Sequence, residues 1–233
     1  MSKKHLSRLN MPKCWPVKRK SSKWVTKPNP GPHPLKACIP LSILIKDLLG
    51  HTETTKQTKN IIANKEVLID KKPRKDHKYP VGIMDTVEIP KTKEYYRLIL
   101  NQKGRFTLHP IKKEETEIKP YKIIGKTILK KKKIQLNLFD GKNLLVDKDN
   151  YKVGDTIVLN LINNKIGSHL KLEKNSKVYL TSGNYVGKIA VISEFDKRDP
   201  NTITLKHNKE EIKTSKKYLF VIGDLLKEYE KSE

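Results

Sequence analysis

An α+β, multidomain fold is what this sequence predicts, and three observations predict it. Leu41, Leu44, Ile45, Leu48 and Leu49 recur at helical spacing over one short stretch. A capping pattern, Thr54-x-x-Gln57, follows directly and announces a second helix. From about Tyr95 to Phe220 the signals change to short β-rich runs separated by turn residues. At 233 residues the chain has room for two or three small domains.

Taken in order, Met1 to Lys46 contains no acid, while Lys3, Lys4, Arg8, Lys13, Lys18, Arg19, Lys20, Lys23, Lys27, Lys36 and Lys46 are basic. Such a like-charged block does not collapse alone. Trp15 and Trp24 are interleaved with the cations, suited either to packing on a domain or to stacking on bases and sugars. Residues 1–38 are therefore expected to be a tail and linker ordered by RNA, with a solvated disordered tail as the plainer reading. Lys27 to Pro34, KPNPGPHP, favours an extended connector. The first helix then opens at Pro40 and ends at Gly50.

In the second helix Ile61, Ile62 and Ala63 form the expected apolar side, with Lys56, Lys59 and Asn60 on the opposite face. Glu66-Val67-Leu68-Ile69 reads as a strand, Asp70-Lys71-Lys72-Pro73-Arg74 as a basic turn, and Asp85 to Ile89 as the returning segment. Residues 39–93 thus form one expected unit. Strands are expected at Tyr96 to Leu100, Arg105 to His109, Tyr121 to Thr127, Ile134 to Leu138, Asn143 to Val146, Thr156 to Leu161 and Ile166 to Leu172. Turn chemistry between them comes from Asn101-Gln102-Lys103-Gly104, Asp140-Gly141 and Asn163-Asn164. Residues 94–173 are expected to be a central β domain, 174–223 a small barrel, and 224–233 a short acidic tail. Lys119, Lys122, Lys126 and Lys130 to Lys133 form another phosphate-facing candidate, or else a solvated charge run.

Lysine and arginine total 50 against 25 acids, a formal net charge of +25. Self-repulsion of that size is relieved by a polyanion, either nucleic acid or an acidic membrane surface. No apolar run approaches the roughly 20 residues that span a bilayer. The basic amino terminus lacks the apolar core of a secretory signal, and two cysteines, Cys14 and Cys38, suit a reducing compartment. The expected location is the cytoplasm.

Ser176 to Ile192, SKVYLTSGNYVGKIAVI, places β-rich residues on each side of a loop with Gly183 and Gly187 four apart. It resembles the KOW motif of ribosomal proteins and transcription factors, in which glycines permit close approach to RNA backbone. Ser182 and Ala190 stand where that motif usually carries further glycines. The unit from Ile39 to Ile89 resembles the helix-helix-hairpin RNA-binding domain. Its hairpin turn has Asp70-Lys71 in place of the usual Asp-Gly, which leaves the turn type open. KKHLSRLNMPKCW at Lys3, GPHPLKACIPL at Gly31, YPVGIMDTVEIPKT at Tyr79, YRLILNQKGRFTLHPI at Tyr96 and FVIG at Phe220 follow one another along the chain. This order resembles the archaeal and eukaryotic e-type protein four of the small ribosomal subunit.

The resemblance implies a small helix-helix-hairpin RNA-binding domain, a central β domain and a KOW-bearing SH3-like β-barrel. It further implies embedding in small-subunit ribosomal RNA beside neighbouring small-subunit ribosomal proteins, with no cofactor, no membrane partner and no homo-oligomer. The expected RNA contacts are Lys3, Lys4, Arg8, Lys13, Trp15, Lys18, Arg19 and Lys20 in the tail, and Lys56, Lys59, Asn60, Lys71, Lys72 and Arg74 in the helical unit. Arg105, Lys130, Lys131, Gly183, Asn184, Gly187 and Lys188 complete the set.

Chemistry is not indicated. His5, His33, His51, His77, His109, His169 and His207 are scattered, and the two cysteines lack metal-ligand spacing. There is no phosphate-binding GxxxxGK[ST] loop, and Glu114, Glu115 and Glu117 read as a solvated linker. An RNA-modifying enzyme with a fused helix-helix-hairpin domain and a free transcription or translation factor are the competing classes.

Overall fold

A computed structural model describes residues 5–130, 133–147, 149–196, 199, 201–207, 210–223, 225, 226 and 229. It is mostly β with few helices, and the chain divides into two units, Met1–Lys119 and Pro120–Glu233.

In the first unit β1 (Leu6–Ser7) pairs antiparallel with β2 (Trp24–Val25), so the basic amino-terminal segment folds back as a ribbon. β3 (Cys38–Pro40) leads into α1 (Leu41–Ile43), which continues as a π-type turn over Leu44–Leu48. Leu49 N–H donates to Leu44 O at 3.1 Å, the wide turn that replaces the regular α-helix expected here. Leu41, Leu44 and Ile45 are buried as their spacing predicts.

Thr54 caps α2 (Thr55–Ala63) with a complete capping box: Gln57 N–H donates to Thr54 Oγ1, and Thr54 N–H donates to Gln57 Oε1. Thr58 and Ile62 are its buried residues, one turn apart; Ala63 is exposed, contrary to the expected apolar side. The helix phase is as expected, but a polar threonine takes the second inward place by bonding Thr52 and the Thr54 carbonyl.

β4 (Leu68–Ile69) turns directly into β5 (Lys72–Pro73), with φ of +52° at Asp70 and +63° at Lys71. Positive φ at both central residues is the type I′ hairpin signature. Two non-glycine residues hold it because both side chains are engaged: Asp70 accepts from Thr86 N–H, and Lys71 donates to Glu88 and Thr116. β6 (Pro80–Gly82) pairs with β3. β7 (Thr86–Ile89), β8 (Glu94–Leu100) and β9 (Phe106–Pro110) complete a sheet of order β5-β4-β7-β8-β9. The expected boundary at residue 93 therefore falls between two paired strands of one sheet.

Two further five-stranded sheets follow, and apart from the first two residues of one strand they lie in the second unit. β10 (Ile118–Ile128), β11 (Ile134–Leu138), β12 (Asn143–Val146), β13 (Thr156–Asn160) and β14 (Ile166–Leu170) form one, in the order β12-β11-β10-β13-β14. Its core is Tyr121, Ile123, Leu136, Leu138, Ile157, Leu159 and Leu161. β15 (Lys177–Leu180), β16 (Ile189–Phe195), β17 (Thr202–His207), β18 (Glu210–Ser215) and β19 (Leu219–Val221) form the other, in the order β18-β17-β16-β15-β19. Val178, Leu180, Ile192, Ile203, Leu205, Ile212 and Val221 are among its core, and Leu170 and Leu172 pack against it.

The amino-terminal segment is not a bare tail. Met11 and Trp15 are 3% and 2% exposed, Trp15 Nε1 donates to Cys38 O at 2.6 Å, and Phe106 N–H donates to Cys14 O at 2.8 Å. Arg8 donates to the Lys18 carbonyl, and Arg19 to the carbonyls of Leu9 and Met11. Guanidinium groups thus close the ribbon on backbone oxygens, which is how a segment without acids is held together among the described residues.

Candidate nucleic-acid interface

Whether a lysine can meet a phosphate depends on what already holds its ammonium. Lys119 is taken: its Nζ lies 2.6 Å from Asp70 Oδ2 and 2.5 Å from Asp85 Oδ1, with the side chain 2% exposed. His33 Nε2 reaches the same Asp85 carboxylate at 3.1 Å, and Gly82 N–H donates to it at 2.9 Å. Burial pushes the Asp85 carboxyl up, but Lys119, then His33 and the Gly82 amide outweigh it and hold the group well below the usual carboxylate range. The expected phosphate-facing role of Lys119 is thereby corrected, since an ammonium neutralised by buried carboxylates offers nothing to solvent.

Lys122 and Lys126 are engaged as well, by other partners. Lys122 Nζ donates to the carbonyls of Lys216 and Lys217, and burial, with Lys216 nearby, lowers its pKa to about 8. Lys126 bonds Asp149. Lys71 donates to Glu88 and Thr116, and the Arg74 guanidinium lies 4.2 Å from the centre of the Tyr79 ring. Trp15 is buried and has no face for a base. Arg8 and Arg19 spend donors on the ribbon's own carbonyls. Gly187 is buried, at φ +83°, and its N–H donates to Leu180 O; it closes the loop rather than lining its outside.

What remains is a set of exposed side chains. Lys13, Lys18 and Lys20 are exposed on the ribbon, and Lys56, Lys59 and Asn60 are exposed on α2, whose inward residues are Thr58 and Ile62. Lys72, Arg105 and Lys130 are exposed too. None of these cationic side chains pairs with a carboxylate among the described residues. In the loop between β15 and β16, Gly183 and Asn184 are exposed, Gly183 at φ +96°, while Lys188 is half-buried with Nζ 5.5 Å from the Tyr185 ring centre. Lys3, Lys4 and Lys131 lie outside the described residues.

Trp24 is 52% exposed and Trp15 is buried, although the expected contacts include Trp15 and not Trp24. Both sit among lysines, and only the pairing of Ser7 with Trp24 in a two-residue ribbon turns one outward; no local signal carries that. Among the described residues no cluster of three or more His, Cys, Asp or Glu could hold a metal, and no helix is long and apolar enough to cross a membrane.

Two family descriptions match the chain: the RS4NT (NUC023) domain over residues 2–36 and Ribosomal family S4e over residues 92–166. Small ribosomal subunit protein eS4 of Archaeoglobus fulgidus is 40% identical over 222 residues, 94% of this chain and 93% of its own length. The protein of the same name from Methanosphaera stadtmanae is 37% identical over 225 residues, 95% of this chain and 93% of its own. The crystal structure of the 30S ribosomal protein S4e from Thermoplasma acidophilum superposes with a TM-score of 0.71 at 30% identity, covering 80% of this chain and 95% of that one. These likenesses run from the basic ribbon into the last sheet at near full length, and the chain belongs to ribosomal family S4e.

Proposed function

We propose that this chain is a structural constituent of the small ribosomal subunit in the cytoplasm, binding and stabilising small-subunit ribosomal RNA during assembly and translation without catalysing a reaction. The observation that carries the reading is near full-length similarity to archaeal small ribosomal subunit proteins eS4. The net charge of +25 and the uncommitted lysines of the ribbon and α2 support it, because phosphate neutralisation dominates RNA affinity. Its partners are small-subunit ribosomal RNA and neighbouring ribosomal proteins.

Within this reading, residues 39–93 act as the helix-helix-hairpin RNA-binding motif. The succession of α1, α2 and the β4–β5 hairpin supports that assignment. The last sheet, with β15 between β16 and β19, is the KOW-bearing SH3-like barrel, supported by the positive-φ glycines of its first loop. Sucrose-gradient sedimentation of the tagged chain after a high-salt wash tests the function. Near-stoichiometric retention on small subunits is expected; an enzyme or free factor washes off.

A further inference from the structure

We propose that the amino-terminal ribbon and the helices beside it form a binding site for one unpaired ribonucleotide, with the base stacked on Trp24. This rests on the reading that the chain binds ribosomal RNA. Trp24 is half exposed, with the His5 ring 5.6 Å away at 48° and Lys23 Nζ 5.4 Å from its own ring centre. An exposed aromatic ring with a lysine beside it is a recurring platform for single-stranded nucleic acid, because every base presents a π-face and its phosphates meet the charge.

A cavity of about 170 Å3 opens beside that ring, with Arg8, Trp24, Ser42, Lys46, Asp47 and Thr55 in its wall. Two donors there are unsatisfied. Ser42 is 4% exposed and its Oγ has no hydrogen-bond partner; Arg8 Nε, also buried, has none. Buried donors without acceptors are rare and costly, so they mark where a ligand's acceptors fit. Arg8, Lys46 and Thr55 at the first position of α2 supply positive potential for a phosphate. Asp47 supplies an acceptor, which a ribose 2′-hydroxyl satisfies and deoxyribose does not. A protein neighbour fits less well, since no acid occurs before Asp47 to complement mixed surface charge.

The test titrates the full chain with a short unstructured RNA and with DNA of the same sequence, following tryptophan emission. The site predicts quenching of the exposed tryptophan, preference for RNA, and affinity roughly 5- to 150-fold weaker in Trp24→Leu, the range of one lost base stack. Trp24→Phe retains most of the binding and controls for folding. Equal RNA affinity in wild type and Trp24→Leu, without quenching, overturns the stacking site and leaves Trp24 to a protein neighbour. Equal affinity for RNA and DNA overturns the role of Asp47. Either failure leaves salt-resistant association with small subunits intact, whereas failure of the underlying reading removes that association itself.

Discussion

Lys119 Nζ and Asp85 Oδ1 lie 2.5 Å apart with side chains 2% and 1% exposed, a fully desolvated ion pair that also takes in Asp70 and His33. Such a pair contributes less by existing than it costs when halved, because the survivor is left charged in a poorly solvated place. Lys119→Met is expected to destabilise the first unit by about 3–5 kcal/mol. Urea unfolding followed by tryptophan emission reads that unit alone, since Trp15 and Trp24 both lie within it.

The same carboxylate sets an acid limit. A folded-state pKa below the unfolded value of 3.8 contributes stability that is fully present above that value and is lost as pH falls through the folded one. Unfolding midpoints measured from pH 5 downward should fall more steeply in wild type than in Asp85→Asn, which is less stable at neutral pH but loses this acid dependence.

Lys122 tilts stability with pH in the same direction, but through a burial cost that is relieved rather than an interaction that is gained. Its pKa falls from 10.5 to about 8 on folding, so the unfolded chain binds the extra proton between those values and stability rises as pH increases through that window. Lys122→Met should flatten the rise between pH 8 and 10.5, read as the difference between the two proteins' unfolding midpoints.

The α2 cap and the α2 lysines separate stability from binding. Thr54→Ala should cost about 1 kcal/mol by removing the hydroxyl that accepts from Gln57 N–H, while the Thr54 N–H can still donate to Gln57 Oε1. Lys56→Gln with Lys59→Gln should change stability by about 0.5 kcal/mol or less. It should also flatten the slope of log affinity against log salt on small-subunit RNA by up to about 0.9 per lost contact, the duplex DNA value being an upper guide. Unchanged affinity and slope would make this helix face a merely solvated one.

The two loop glycines answer different questions. Gly187 is buried at φ +83°, so Gly187→Val is a folding defect before it is a binding one. Gly183 is exposed at φ +96°, with ordinary contact space where a Cβ would lie, 3.8 Å from Tyr218 Cδ2. Gly183→Ala should cost about 1–2 kcal/mol of left-handed strain. Thermal unfolding of both variants checks the order.

What was legible in the sequence is what depends on near neighbours. The cap at Thr54, α2, and the hairpin of β11 and β12 around Asp140-Gly141 follow from residues within a few positions of one another. The burial of Lys119 does not, because Asp70 and Asp85 lie 49 and 34 positions away and a lysine-rich run looks the same whichever member turns inward. Trp15 and Trp24 differ through a bond to Cys38 and a two-residue ribbon, both non-local. Without a glycine the type of the hairpin turn stays open in the sequence; the side-chain bonds of Asp70 and Lys71 that hold it come from Thr86, Glu88, Thr116 and Lys119.

On the proposed reading, particular lysines meet ribosomal RNA while others are spent inside the protein. Lysine acetylation footprinting, comparing the pure chain with the chain in salt-washed small subunits, measures this residue by residue. Lys13, Lys18, Lys20, Lys56, Lys59 and Lys72 should react readily in the pure protein and be protected in the particle, while Lys119 should be unreactive in both. Lys56 and Lys59 reacting equally in both states, together with a Lys119 that is open in the pure protein, would contradict this division of the lysines.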